Sequence, residues 1–522
     1  MSERAYSVFA QVDARAEIER SLREAGFREI PEAGRWLNEA GQTPAQWAHG
    51  LPGGGRNPRH LVKTWGCQMN EHDSEIMAAQ LELMGYEPTD EVEEADLILL
   101  NTCAIRHVAE EKVFGTIGWL KQVKDRNPDL ILAMAGCMAQ EPVTIERIKR
   151  TAPHVDVIFG THNIHRLPEL ILRVRREEGM VVDVWKTGGA ILENLPARRA
   201  DRARAWVTIQ YGCDKFCTYC IVPYVRGRER SRPPAEILRE VAELGRQGYR
   251  EVTLLGQTVS SYGSDFVHSD YRFADLIRDL ESVEGIRWIR FMSPYPADFD
   301  DRLVEALARS TKVCRHVHLP VQSGSDRVLH RMNRRYTRQQ FLDVVERLRQ
   351  AIPGITITTD IIVGFPGETE EDFEETLDLV RRVRFDNAFT FWYSPRAGTV
   401  GAFWEQRQGV PEAVKKKRLH RLNELQNRIS AEINAGWVGR TVEVLIEGPS
   451  KKDPAVLSSR TSGNKIVLLR GSDELAGRFA TARITGSTSF WLEGEILEVE
   501  DPTREPAPLL GSAHRGPAGH GA

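Results

Sequence analysis

The chain has 522 residues, 41% of them apolar and 28% charged, with a formal net charge of -4. That length accommodates about three domains and large buried cores, and the composition is that of a soluble globular protein. The near-neutral balance excludes a global basic field, so any RNA site is a local patch, and no apolar run reaches membrane-span length. The N-terminus lacks a signal-peptide apolar region, and the seven cysteines, set mostly at strand ends, favour ligation in a reducing cytoplasm over a disulfide frame.

Residues 1–57 read as a separate extension, with a mixed-charge helical pattern over Val12–Glu24 and a flexible linker over Gly50–Gly55. A mobile extension or a small docking helix is expected there, with no assigned chemistry. From His60 the pattern turns α/β. Strands are expected at His60–Gly66, Ala95–Thr102, Leu130–Gly136 and Val155–Gly160, with helices over Asn70–Met84, over His107–Lys124 and from Ile164. Alternation of this kind predicts a parallel, doubly wound sheet whose carboxyl edge binds ligands. Cys67, Cys103 and Cys137 each end one of the first three strands, one βα unit apart, and so share that edge. One such cysteine is commonly a small buried residue; three in successive turns point to a common ligand.

The basic linker Ala197–Ala205 suits a phosphate contact or a solvated boundary equally. Six strands alternating with helices follow, at Ala205–Tyr211, Glu251–Gly256, Arg287–Met292, Val317–Val321, Ile355–Gly364 and Ala388–Tyr393. Six units are too few for a closed eight-stranded barrel. The first strand closes on Cys213-x3-Cys217-x2-Cys220. Structural zinc and ordinary [4Fe–4S] clusters want four protein ligands. Three thiolates therefore fit a [4Fe–4S] cluster with one open iron, or a zinc knuckle completed from elsewhere. The other strand ends carry Gly256-Gln257, Ser293-Pro294, Gln322-Ser323-Gly324-Ser325 and Gly364–Glu368. Such residues allow close backbone approach to a ligand, and each also fits ordinary βα-turn chemistry. Cys314 lies outside both triplets and reads as a buried structural thiol. His316 and His318 fall on one strand face, with packing or turn bonding as their expected role.

Pro411–Ala435 is a charged helix with a basic run. Beyond it the pattern is all-β, with strands at Thr441–Glu447, Lys465–Leu469, Ala480–Ile484 and Trp491–Val499, as in a small OB-like barrel. Lys451, Lys452, Arg460 and Lys465 give it a local basic surface that suits an RNA backbone or plain solvation. Residues 501–522 read as a disordered tail.

The C-x3-C-x2-C run closing a first strand, with Tyr219 just before its last cysteine, resembles the radical-SAM superfamily, whose cores are open (β/α)6 barrels. The order of a Cys-bearing α/β domain (58–175), that core (199–432) and a small β-barrel known as TRAM (436–500) resembles the methylthiotransferases. Thr64–Asn70 (TWGCQMN) with Asp73-Ser74-Glu75, then Tyr211–Cys220, Val225–Arg232 (VRGRERSR), His318–Ser325, Thr359–Glu371 and Gly439–Lys452 resemble the branch that acts on tRNA. The ribosomal-protein branch usually reads Gly-Cys-Pro-Lys-Asn at the first of these.

The resemblance implies methylthiolation at C2 of N6-(dimethylallyl)adenosine, at position 37 of a tRNA anticodon stem-loop. It implies two [4Fe–4S] clusters: one on Cys213, Cys217 and Cys220 that cleaves S-adenosylmethionine (SAM), and an auxiliary sulfur-supplying one on Cys67, Cys103 and Cys137. It also implies two SAM per turnover, with Tyr219, Gly256, Gln257, Ser293, Gln322, Ser323 and Gly364 as cofactor-binding candidates. Electron-donor and sulfur-donor proteins would be partners, in the cytoplasm and without a membrane. The competing expectations are methylthiolation of a ribosomal-protein aspartate and a non-catalytic iron–sulfur RNA-binding protein.

Overall fold

The computed structural model describes residues 9–31, 34–104, 107–188, 190–199 and 201–500. The expectation of a disordered tail at 501–522 lies outside them. Strands Arg59–Thr64, Leu97–Thr102, Ile131–Gly136 and Val157–Phe159 form the centre of a six-stranded sheet, flanked by Glu87–Pro88 and Val181–Asp183. All its pairings are parallel. Successive residues serve opposite faces. Leu97, Leu99 and Ile131 enter one core with helices Gln68–Leu83 and Leu167–Arg176, while Ile98, Leu100 and Leu132 enter the other with His107–Arg126. Burial on both faces is why the inner strands are unbroken apolar runs.

Arg59–Thr64 pairs with Glu87–Pro88 on one side and with Leu97–Thr102 on the other. The order of the sheet therefore reverses beside Arg59–Thr64, and the crevice beyond the carboxyl ends at such a switch point is where doubly wound sheets bind ligands. Cys67 and Cys103 stand at that crevice, and Cys137 stands at the end of the next strand.

The expectation of a separate N-terminal extension is corrected. Gln11–Asp13 pairs in parallel with Ile191–Glu193. Helix Ala14–Glu24, capped by the Asp13 carboxylate, buries Ala14, Ile18 and Leu22 in the same core as Leu97 and Ile131, and Phe27, Trp36 and Ala45 join them. Nor is Gly50–Gly55 an open linker. The Gln46 amide donates to the carbonyls of Gly55 (3.1 Å) and Arg56 (3.3 Å), and a Cβ on Gly53 would lie 2.5 Å from the Ala40 carbonyl.

The central region has the six expected strands in two parallel three-stranded sheets, Arg204–Thr208 with Glu251–Leu255 and Trp288–Phe291, and His316–His318 with Thr356–Val363 and Asn387–Trp392. An isolated parallel bridge, Ile289–Val313, joins them. No pairing among the described residues joins the first strand to the last, so the barrel is open there. Val207, Val252, Leu254, Ile289, Val317 and Ile357 pack under the helices. The alternate residues make a polar interior: Arg290 pairs with Glu251 at 2.9 Å, and His316 and His318 bond the Thr358 hydroxyl at 2.8 and 3.0 Å. The two histidines thus take hydrogen-bonding positions in the core. Cys314 is buried beside Trp288, Leu445 and Phe479.

The last region is a closed barrel of five strands: Thr441–Pro449, Val456–Thr461, Ile466–Arg470, Leu492–Val499 and Phe479–Ser487, in spatial order. The reading by apolar runs missed Val456–Thr461, whose inward positions are Leu457, Ser459 and Thr461. This barrel plugs the amino end of the central one. Arg290 donates to the Thr461 carbonyl at 2.9 Å, the Thr356 hydroxyl donates to Gly463 O at 2.6 Å, Arg204 pairs with Glu447, and Trp288 meets Phe479 edge-on. The expected basic surface is corrected accordingly. Lys465 is buried, with Nζ 2.9 Å from both Asp386 Oδ1 and Asn434 Oδ1, and Arg460 is bound to Glu447 at 2.8 Å. Only Lys451 and Lys452 of the four stand exposed.

Candidate active site

Each cysteine triplet is set by glycine. Gly212, before Cys213, has φ +72°, and a Cβ there would lie 2.1 Å from the Arg228 carbonyl; Gly136, before Cys137, has φ +94°, and a Cβ would lie 2.4 Å from the Thr102 carbonyl. Neither place admits a side chain. The Cys213 amide donates to Gly227 O at 3.1 Å and the Cys220 amide to Cys217 O at 2.9 Å, which curls the loop so that its thiols face one another. Burial pushes the Cys213 thiol up to about 11, opposed by the Thr258 hydroxyl at 3.2 Å and reinforced by nearby Cys217. Cys220 is raised further, first by burial and then by Cys217. Arg334 supplies the countercharge. It is buried, lies 3.6 Å from Cys217 Sγ and donates to the Pro320 carbonyl at 2.7 Å, with Tyr295 and Tyr336 against its guanidinium.

Cys67, Cys103 and Cys137 meet at the switch-point crevice. Cys103 and Cys137 are buried and Cys67 is half-buried. Burial pushes the Cys137 thiol up to about 12, Arg226 opposes this, and Cys103 and Cys67 reinforce it. A buried thiol pushed up by two neighbouring thiols is a costly arrangement unless a cation deprotonates it, and a metal centre does so outright. Among the described residues no three His, Cys, Asp or Glu side chains are drawn close enough for one metal ion. The donor chemistry of each set, three thiols, suits iron–sulfur ligation.

The domains that carry the two triplets are joined at one junction. Helix Gln68–Leu83, which starts right after Cys67, lies on the first strand of the open barrel, with the Thr208 hydroxyl 3.4 Å from Met69 Sδ. Arg199 ties it there through Glu75 (3.1 Å) and the Trp206 carbonyl (2.6 Å). Gln210, on the same strand face as Thr208, is fully buried, and both its amide atoms lack a partner among the described residues.

The seven cofactor candidates divide. Gln322 and Ser293 take left-handed backbone, at φ +71° and +58°, and Gln322 Oε1 is buried without a partner among the described residues. Gln257 is half-buried, and Gly256 packs on Gln210, where a Cβ would lie 3.3 Å from Gln210 Cβ. Ser323 and Gly364 lie against neighbouring helices. The Ser323 hydroxyl lies 3.4 Å from Thr376 on the neighbouring helix and accepts from its own turn at Ser325, and a Cβ on Gly364 would strike Lys415 at 2.4 Å. Tyr219 packs against the Phe365–Tyr393 cluster. Arg226, Arg334, Thr258 and Gln210 were not singled out individually from the sequence. The motif Val225–Arg232 gives no one arginine a role by itself, and nothing local in the sequence marks Arg334.

Comparison with known proteins agrees with this geometry. Residues 207–380 match the radical SAM superfamily, 59–160 match uncharacterized protein family UPF0004, and 437–497 match the TRAM domain. A tRNA-2-methylthio-N(6)-dimethylallyladenosine synthase of Desulforamulus reducens is 53% identical over 438 residues, 84% of this chain and 95% of the relative. One from Oceanobacillus iheyensis is 53% identical over 444 residues, 85% of each chain. The chain belongs to the tRNA-2-methylthio-N(6)-dimethylallyladenosine synthase family. Among solved structures, the radical SAM methyltransferase TsrM of Kitasatospora setae with cobalamin and a [4Fe-4S] cluster bound is 14% identical, with a TM-score of 0.48 over 66% of this chain and 74% of that one. In this chain the radical-SAM match covers five of the six central strands, wholly or in part, together with Cys213, Cys217 and Cys220, and the UPF0004 match covers five of the six strands of the N-terminal sheet together with Cys67, Cys103 and Cys137. No helix among the described residues is long and apolar enough to cross a membrane.

Proposed function

We propose that this radical-SAM enzyme methylthiolates C2 of N6-(dimethylallyl)adenosine at position 37 of tRNA, using both cysteine triplets. In this reading Cys213, Cys217 and Cys220 hold a [4Fe–4S] cluster whose open iron takes SAM, and Cys67, Cys103 and Cys137 hold a second that supplies sulfur. What supports it is the arrangement at the junction: two separate sets of three cysteines, each at the carboxyl ends of the strands of its own parallel sheet, on domains joined through helix Gln68–Leu83. The C2–H bond of adenine is neither acidic nor electrophilic, and a SAM-ligated cluster, when bound, supplies the radical chemistry such a bond requires. The product gains a sulfur and a methyl group besides losing that hydrogen, which accounts for two SAM per turnover and for a separate sulfur site.

The chain's own residues hold, orient and enclose. Arg334 offsets the negative charge of the central thiolates. Gly256, Ser293 and Gln322 line the barrel mouth where SAM would lie, and Gln210 stands between the two sites. The base enters unstacked, as single-stranded loop bases do. The exposed pair Lys451 and Lys452 tops the Pro449–Val456 turn of the small barrel; Lys451 comes within electrostatic range of Glu71, one turn from Cys67. Those two lysines are the phosphate contacts we assign to this module. Electrons and replacement sulfur come from separate donor proteins.

The test is anaerobic reconstitution followed by assay on tRNA carrying isopentenyladenosine and on the ribosomal protein substrate. We expect 2-methylthio nucleoside by mass spectrometry and no modified aspartate. Product on the ribosomal protein alone, or no deoxyadenosine from SAM and reductant, would overturn the reading.

A further inference from the structure

Three consecutive residues connect the two domains that carry the thiols. The Gly227 carbonyl accepts from the Cys213 amide at 3.1 Å. The Val225 carbonyl accepts from the Thr161 hydroxyl of the N-terminal sheet at 2.6 Å. Between them Arg226 leaves the barrel and enters the other domain, where it is 5% exposed. Its Nη2 donates to Asp73 Oδ2 at 2.7 Å and to Asn70 Oδ1 at 2.8 Å. That same Asn70 oxygen lies 3.9 Å from Cys137 Sγ. The guanidinium is therefore one atom removed from a candidate cluster ligand, yet the chain segment that carries it belongs to the other sheet. Asn70 is itself fixed, its amide donating to the carbonyls of Trp65 and Thr102 at 3.0 Å each.

A buried guanidinium needs a partner, and Asp73 suffices for that. A purely structural ion pair has no reason to be placed beside three thiols. The motif's other arginines meet other groups: Arg228 is exposed on Asp214, Arg230 is buried beside Tyr211 and Asp265, and Arg232 is buried on Glu193 and Glu240. Within the motif, Arg226 is the arginine whose charge reaches Cys137, and from elsewhere in the chain the buried Arg396 acts on Cys103. Its location resembles that of Arg334 at the central triplet, where a buried arginine likewise stands close to a cysteine sulfur.

We propose that Arg226 is a positioning residue for the sulfur-supplying site: delivered from the radical-SAM barrel, it is a fixed positive charge that stabilises the site's anionic sulfur, with Asp73 setting how much of that charge is felt. This rests on the two-cluster reading above. Partners of a metal's ligands set affinity by about 10–100-fold, and a positive charge near a redox centre favours its reduced, more negative form. Removing the charge must therefore lower the potential of the cluster and weaken its hold on added hydrosulfide. Removing the Asp73 charge must do the opposite, because Arg226 is then uncompensated.

The experiment uses the full chain with Cys213, Cys217 and Cys220 replaced by alanine, so that only one cluster assembles. Into it go Arg226→Gln, Arg226→Lys and the near-isosteric Asp73→Asn, each checked for iron content. Spectroelectrochemical titration, and hydrosulfide titration followed by electron paramagnetic resonance, are the readouts. We expect Arg226→Gln to lower the midpoint potential and weaken hydrosulfide binding about tenfold or more, Asp73→Asn to shift both in the opposite direction, and Arg226→Lys to lie near the parent. A role confined to holding the domains together predicts shifts of one sign for both partners; that result, or unchanged potentials at full iron loading, overturns the proposal. A parent chain that loads no iron would instead sink the two-cluster reading, which keeps the two failures apart.

Discussion

Lys465 and the pair Lys451/Lys452 looked alike in the sequence, and the fold gives them opposite work. Replacing Lys465 with methionine removes the partner of Asp386 in a site where the lysine is 8% exposed. Breaking a buried pair by deleting one partner costs about 3–5 kcal/mol. Asp386 keeps one donor, the Ile357 amide at 2.9 Å, so the cost falls near the lower end, about 3 kcal/mol, and is felt where Lys465 anchors the small barrel to the end of helix Glu412–Ala435. The thermal midpoint of the K465M chain should fall, and proteolysis between the helix and the barrel should speed up. Its tRNA affinity at one salt concentration also falls through loosened docking, but the slope of log affinity against log salt stays as in the parent, because no phosphate contact is lost. K451A/K452A should do the reverse. Stability is unchanged, and the salt slope becomes shallower by about 1.4–1.8, two contacts at about 0.7–0.9 each. The assay is filter binding or fluorescence anisotropy across a salt series, beside a melting curve for each variant. A shallower slope for K465M with an unchanged one for K451A/K452A would refute the assignment of charges to docking and to RNA.

Gly136→Ala should cost the N-terminal cluster alone, because its Cβ would collide with the Thr102 carbonyl that positions Cys137; iron per chain should drop by about four while SAM cleavage continues. Replacing Cys213, Cys217 and Cys220 with alanine should end deoxyadenosine formation and leave the other site loaded, as iron and product analysis would show. Burial, aided by Arg198, holds the His60 imidazole down at about 4. An imidazole with a depressed folded pKa contributes full stability above about 6.5, and loses it as pH falls toward 4. The melting temperature should accordingly decline across that window, and His60→Phe, edge-on to Tyr86 as the imidazole is, should make the decline shallower.

The cysteines and their strands were legible because each lies where a period-two or buried apolar run stops, and because glycine precedes Cys67, Cys137 and Cys213. The open barrel was legible from six βα repeats. What stayed hidden depends on neighbours remote in sequence. The N-terminal helix looked detached because Ile18 and Leu22 find their partners beyond residue 76, and the lysine at 465 looked solvated because its carboxylate lies at 386. Val456–Thr461 was missed because its inward serine and threonine break the apolar alternation that marks a strand. Ser323 and Gly364 were chosen as polar or small strand-end residues, and both meet a neighbouring helix, which no local pattern announces. Arg226 belonged to a recognisable motif, but only its reach across the junction gives it a role different from Arg228 and Arg232.

The most direct test of the account replaces Cys67, Cys103 and Cys137 together by alanine. The two sites belong to different sheets, so the central cluster should still assemble, with about four irons per chain, and reductive cleavage of SAM should persist. The 2-methylthio nucleoside should vanish from the tRNA digest. Normal amounts of that nucleoside from a chain confirmed to carry a single cluster would contradict the account, since the sulfur would then come from elsewhere and the three cysteines would be structural.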